Sequence, residues 1–156
     1  MDSKYPEIAK VRDLLGESYT EDMKFAFPEV DPPTYPFGAL VLCQIRSPKK
    51  FKRLPGGKIF LLADETVDAE KYRVQVGLVR AVGPAAFKNR ATGVEWPEGM
   101  WCKPGDFVRV PLYGGDRESV DFKDGELSTE ALFVMVRDTD ITGGVRGDPL
   151  MSKALI

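Results

Sequence analysis

Apolar residues recur at Ile8, Val11, Leu14 and Leu15, at intervals of three, three and one. That spacing predicts a helix over Pro6–Leu15, with Pro6 suited to its first turn and Gly16 to its stop. A helix of about ten residues is marginal alone and must pack on something. Beyond it the pattern dissolves. Residues Tyr19 to Pro36 are acidic, aromatic and proline-rich, ending in Asp31-Pro32-Pro33-Thr34-Tyr35-Pro36, and read as a linker or extended arm, not as a packed element.

After Gly38 the texture turns to β. Ala39 to Ile45 is a short apolar run, followed by a basic stretch from Arg46 to Lys58 with six Lys/Arg and no acid. Pro55-Gly56-Gly57 precedes a second apolar run, Ile59 to Leu62. An acidic segment, Asp64 to Glu70, leads into Tyr72–Val82, where Tyr72, Val74, Val76 and Leu78 alternate with polar or small residues at the strand period. Gly83-Pro84 closes that strand. Residues Ala85 to Met100 read as a protruding hairpin with Ala91-Thr92-Gly93 at its tip, and Lys103-Pro104-Gly105-Asp106 as a turn in which Pro presets φ and Gly takes the positive-φ position. Phe107–Val110 and Ala131–Val136 add two more strands. Short strands punctuated by Gly and Pro argue an all-β domain, a small barrel or sandwich.

A chain of 156 residues accommodates one domain with a real core. Its net charge of −2 offers no global basic field for nucleic acid. The basic stretch Arg46–Lys58 has Phe51 as its one aromatic and no accompanying fold motif, so nucleic acid is disfavoured as a partner. A solvated loop facing an acidic partner surface, or facing Asp64–Glu70 across a hairpin, is preferred. No apolar run approaches a membrane span and no signal-peptide pattern opens the chain, so a cytoplasmic protein is expected.

The absence of histidine removes Ser/His/Asp and Cys/His catalysis and His-ligated zinc together. Cys43 and Cys102 form no CxxC motif and read as buried free thiols. Asp138 and Asp140 are close enough to suggest a carboxylate dyad, but without a nucleophile they read as solvated turn residues. Trp101 reads as a local packing residue. There is no Gly-Lys-Ser/Thr phosphate cradle. No catalytic residue, metal or cofactor is expected, and the chain does not read as an enzyme.

The order of motifs resembles the GroES-like co-chaperonin family. The matching string runs from Leu40–Ile45 and the basic loop through Gly56-Gly57-Lys58-Ile59-Phe60-Leu61 to Gly77–Gly83 and a hairpin insertion. It continues with Lys103-Pro104-Gly105-Asp106-Phe107-Val108, Tyr113-Gly114-Gly115 and Phe133–Ile141, covering Pro36 to Gly143. The resemblance implies a GroES-like β-barrel with a mobile-type loop over 36–143, which leaves the N-terminal helix and extended arm over 1–35 and a tail over 144–156 outside it. The extra N-terminal length, Lys58 ahead of the tripeptide, and the Trp96/Trp101 hairpin depart from the host pattern and look like bacteriophage versions of the family.

The resemblance further implies a homo-oligomeric ring, a heptamer, that caps a GroEL-type chaperonin. Gly56 and Gly57 would free the loop, and Ile59, Phe60 and Leu61 would be the docking tripeptide. Burying three such side chains is worth roughly 5–9 kcal/mol, at about 1.5–3 each. Ordering some ten loop residues costs about 1–2 kcal/mol apiece, which is comparable or larger. One loop therefore binds weakly, and a ring of linked loops binds well. Taken without the resemblance, Ile59–Leu62 reads as an ordinary core strand. A second function also fits the barrel: a bacteriophage capsid decoration protein, with capsid proteins as partners, the N-terminal arm tying neighbours together, and the virion as its location.

Overall fold

The apolar run after Gly38 forms β1 (Leu40–Ile45) at the centre of an antiparallel sheet. In a computed structural model, which describes residues 8–47, 51–53, 59–61, 76–111, 115–124 and 127–151, β1 is flanked by β4 (Val76–Val82) and β7 (Leu127–Arg137). β7 pairs along its length with β6 (Asp116–Asp124), and β4 pairs with β5 (Phe107–Arg109), which meets the short β8 (Gly143–Gly144). The order is β6-β7-β1-β4-β5-β8. Among the described residues this sheet is open, with β6 and β8 as its edges. A separate two-stranded sheet joins β2 (Phe51–Arg53) to β3 (Ile59–Leu61). The all-β expectation holds at this level. No described helix is long and apolar enough to cross a membrane.

The central strands are buried on both faces, and period-2 alternation sorts their side chains between two cores. Val41, Cys43 and Ile45 of β1 join Val79, Val134 and Val136 on one face, under Phe87, Cys102 and Ile141. Leu42 joins Ala131 and Phe133 on the other. Both cysteines are buried free thiols, as the sequence indicates. Burial pushes both thiols above their ordinary pKa, Cys102 to about 11.

The second face is covered by the N-terminal segment, which corrects the reading of Tyr19–Pro36 as an unpacked arm. Residues 20–27 contain α2 (Glu21–Ala26), capped by the Thr20 hydroxyl, which accepts from Met23 N at 3.4 Å, with Glu21 and Asp22 at its positive end. Met23, Ala26 and Phe27 pack with Leu78 and Val11, and the Phe27 ring lies 5.4 Å from that of Phe107. The sequence signal was present: a Thr cap, two acids in the first turn, and apolar residues three and four apart. The prolines that follow obscured it.

The first helix is shorter than the spacing predicts. α1 spans Val11–Leu15, and Gly16, at φ 55°, ends it as expected before a 3-10 turn, Gly16–Ser18. Lys10, just before α1, has an extended backbone, and the Ala9 carbonyl accepts a hydrogen bond from Arg80.

β6 carries no apolar run and went unpredicted. Its half-buried Glu118, Val120 and Phe122 alternate with exposed Arg117, Ser119, Asp121 and Lys123, a charge-rich pattern suited to a sheet edge.

Candidate partner-binding site

β2 and β3 form an antiparallel hairpin in which Phe51 pairs with Leu61, Lys52 with Phe60 and Arg53 with Ile59. The backbone of the expected docking tripeptide, Ile59, Phe60 and Leu61, is therefore a strand. Among the described residues this hairpin pairs with no strand of the six-stranded sheet. Gly56 and Gly57 lie outside the described residues, as do the acidic segment Asp64–Glu70, Tyr113 and Gly114.

Residues 85–100 fold back on themselves as the expected hairpin, with Lys88 bridged to Glu95 and the Asn89 amide oxygen accepting from Ala91 N and Thr92 N at the tip. Gly93 takes φ 74° there. At its base, Phe87 adopts φ 60°, rare for an aromatic residue, and is fully buried. Asp138 holds it there: one carboxylate oxygen accepts from Phe87 N at 2.9 Å and the other from Thr139 N at 2.8 Å. Asp138 is thus buried, not a solvated turn residue. Asp140 is exposed and accepts from Arg137 N at 3.3 Å. Both carboxylates serve main-chain N–H groups and do not form a dyad.

Phe87 supports an aromatic cluster in which Trp96 and Trp101 lie 4.9 Å apart, at 5.6 and 5.9 Å from Phe87. Trp101 packs locally as expected, yet remains 42% exposed, and Met100 and Val94 are more exposed still. The Lys103–Asp106 turn forms as the sequence predicts, with Gly105 at φ 101° and the Asp106 carboxylate accepting from Lys103 N. Its backbone pairs with Val79, fixing the hairpin's exit to β4.

What sequence reasoning missed is a polar network beneath the N-terminal segment. Leu42 pairs with Ala81 and Cys43 with Val79, so Arg80 is the extra residue of a β-bulge and faces the side opposite Val79. Its guanidinium donates to Gln44 Oε1 at 2.7 Å, to the Val30 carbonyl at 3.1 Å and to the Ala9 carbonyl at 3.2 Å. Gln44 in turn donates to the Pro28 carbonyl at 2.9 Å. Arg80 is 2% exposed, and its Nε has no hydrogen-bond partner among the described residues. Burial lowers its pKa, opposed by the charges of Glu29 and Asp31. In the sequence Arg80 looks like one polar member of an alternating strand, and nothing local marks the bulge.

Compared with models of known protein families and with curated proteins, the chain matches none of either.

Proposed function

We propose that the chain is a co-chaperonin-like ring subunit, of bacteriophage type, that caps a GroEL-type chaperonin. Ile59, Phe60 and Leu61 dock into an apolar groove on the chaperonin rim. The six-stranded sheet supplies the wall of a GroES-like barrel, and the 85–100 hairpin projects from it. The observation that carries this reading is the separateness of the β2–β3 hairpin. Among the described residues it pairs with no strand of the main sheet. An element of that kind is available to a partner without unfolding the domain.

Each hairpin binds weakly by the arithmetic of burial against ordering, so function requires several linked copies. ATP chemistry belongs to the chaperonin, and the chain itself is not an enzyme. The test is capture of the purified protein on a GroEL-type ring with ATP and then ADP, alongside Phe60→Asp. Nucleotide-dependent capture that is lost in the variant supports the reading. An absence of capture at concentrations well above about a micromolar refutes it.

That second outcome would favour a capsid decoration protein. The exposed Phe37, Val94, Met100 and Trp101 suit this alternative, as apolar side chains that a capsid surface would cover. Co-sedimentation with capsids, weakened in Trp101→Asp, is the corresponding measurement.

A further inference from the structure

We propose that Cys43 and Cys102 form a reversible intrachain disulfide under oxidising conditions, a redox latch that fastens the exit of the 85–100 hairpin to β1. The inference does not depend on the co-chaperonin reading.

The two cysteines are far apart in sequence, and the fold brings them into one core. Cys43 stands on the central strand β1, opposite Val79 of β4. Val79 in turn anchors the Lys103–Asp106 turn. Gly105 N donates to the Val79 carbonyl and Val79 N to the Asp106 carbonyl, both at 2.9 Å. The turn closes on itself through Asp106 N to Lys103 O at 3.1 Å and Lys103 N to the Asp106 carboxylate at 3.0 Å. Cys102 therefore enters the turn beside the strand pair that carries Cys43. Both side chains are buried in the same apolar cluster. Burial raises the pKa of the Cys43 thiol, and the charge of Cys102 adds to that effect. Gly77 keeps room beside Cys43, since a Cβ there would lie 3.0 Å from the Cys43 Cβ and 3.7 Å from its Sγ.

The pair is asymmetric in access. Cys43 is fully buried on a strand paired on both sides, so exposing it means opening the sheet. Cys102 lies between Trp96 and β5, in a stretch with no strand among the described residues. Its turn is tied to β4 by the two main-chain bonds at Val79. Breaking those two bonds frees Cys102 while every strand pairing survives, which is a local opening. Burial holds the Cys102 thiol up at about 11, so its reaction follows that opening. A latch of this kind answers sustained oxidation and ignores brief exposure.

The oxidant is a small-molecule disulfide such as oxidised glutathione. The Cys102 thiolate attacks one glutathione sulfur, and the first glutathione leaves as a thiolate that takes up the proton Cys102 released. On closure Cys43 attacks Sγ of Cys102, expelling the second glutathione, which takes the Cys43 proton. Two protein thiols are oxidised by one electron each, and one glutathione disulfide becomes two thiols.

The test incubates the folded wild-type protein at neutral pH in glutathione buffers of rising disulfide content. Intact mass should fall by two hydrogens, with the bond mapped between Cys43 and Cys102 of one chain and reversed by dithiothreitol. In the oxidised protein, native-state hydrogen exchange at Gly105 and Asp106 should slow by about tenfold or more, because the turn no longer opens freely. Cys43→Ser should stop at one glutathione on Cys102. Two free thiols that persist in fully oxidised glutathione would overturn the proposal, as would products confined to mixed or interchain disulfides. Unchanged exchange at Gly105 and Asp106 after oxidation would overturn the latch.

Discussion

Replacing Arg80 probes how the N-terminal segment is held. The side chain is 2% exposed and donates to Gln44, Val30 and Ala9 at 2.7–3.2 Å. Hydrogen bonds involving a charged group are worth about 1.5–3 kcal/mol each, but removing a buried guanidinium also returns several kcal/mol of desolvation. Arg80→Ala additionally leaves three acceptors unpaired and a void where the side chain lay. The net loss expected is about 3–5 kcal/mol, the range for breaking a buried charged network. At about 2–4 °C per kcal/mol for a chain of this size, Tm falls by roughly 6–20 °C.

The damage should be local before it is global, since two of the three bonds end on carbonyls of the N-terminal segment. Urea denaturation gives the total loss. Hydrogen exchange under native conditions should show amides in 8–31 opening well before those of β1. Arg80→Met with Gln44→Leu removes both polar side chains and refills much of the space, so it should exceed Arg80→Ala by at least about 1 kcal/mol. A loss below about 1 kcal/mol, or faster exchange spread evenly over the N-terminal segment and the sheet, would refute the reasoning.

The other perturbations follow from single contacts. The Tyr19 hydroxyl donates to the Phe27 carbonyl at 2.7 Å, and burial, with Glu29 nearby, pushes its pKa up to about 12. A phenol whose folded pKa exceeds its unfolded value near 10 contributes stability that is complete below about pH 10 and lost as pH rises towards 12. Tyr19→Phe should cost about 0.5–1.5 kcal/mol at neutral pH and flatten that decline, as read by denaturant titration across the window. Asp138→Ala strands the buried Phe87 N–H and should cost about 1–3 kcal/mol, with a shift in Trp emission as Phe87 releases Trp96 and Trp101. A Cβ at Gly83 would collide with the Gly38 carbonyl oxygen and sit 2.8 Å from that of Leu40, whereas one at Gly143 meets nothing within 4 Å. Gly83→Ala should therefore lose about 1–3 kcal/mol or more, and Gly143→Ala should stay within about 0.5 kcal/mol of the parent in the same denaturation assay.

The sequence by itself determined the strands that carry contiguous apolar residues, and the turns that carry glycine and proline. Leu40–Ile45, Val76–Val82 and Ala131–Val136 declare themselves because a strand buried on both faces has few polar positions to interrupt it. The Lys103–Asp106 turn and the Gly16 stop declare themselves because backbone stereochemistry is a local property. The candidate tripeptide Ile59–Leu61 was visible as an apolar run, but its pairing with Phe51–Arg53 was not, because pairing partners are chosen across the fold. Tertiary structure alone decided that Asp138 is buried under Phe87 and that Arg80 occupies a bulge beneath three acceptors. Both outcomes join residues 36 to 71 positions apart. Burial and register set them, and a local pattern of apolar and polar residues carries no record of which distant carbonyl will meet which side chain.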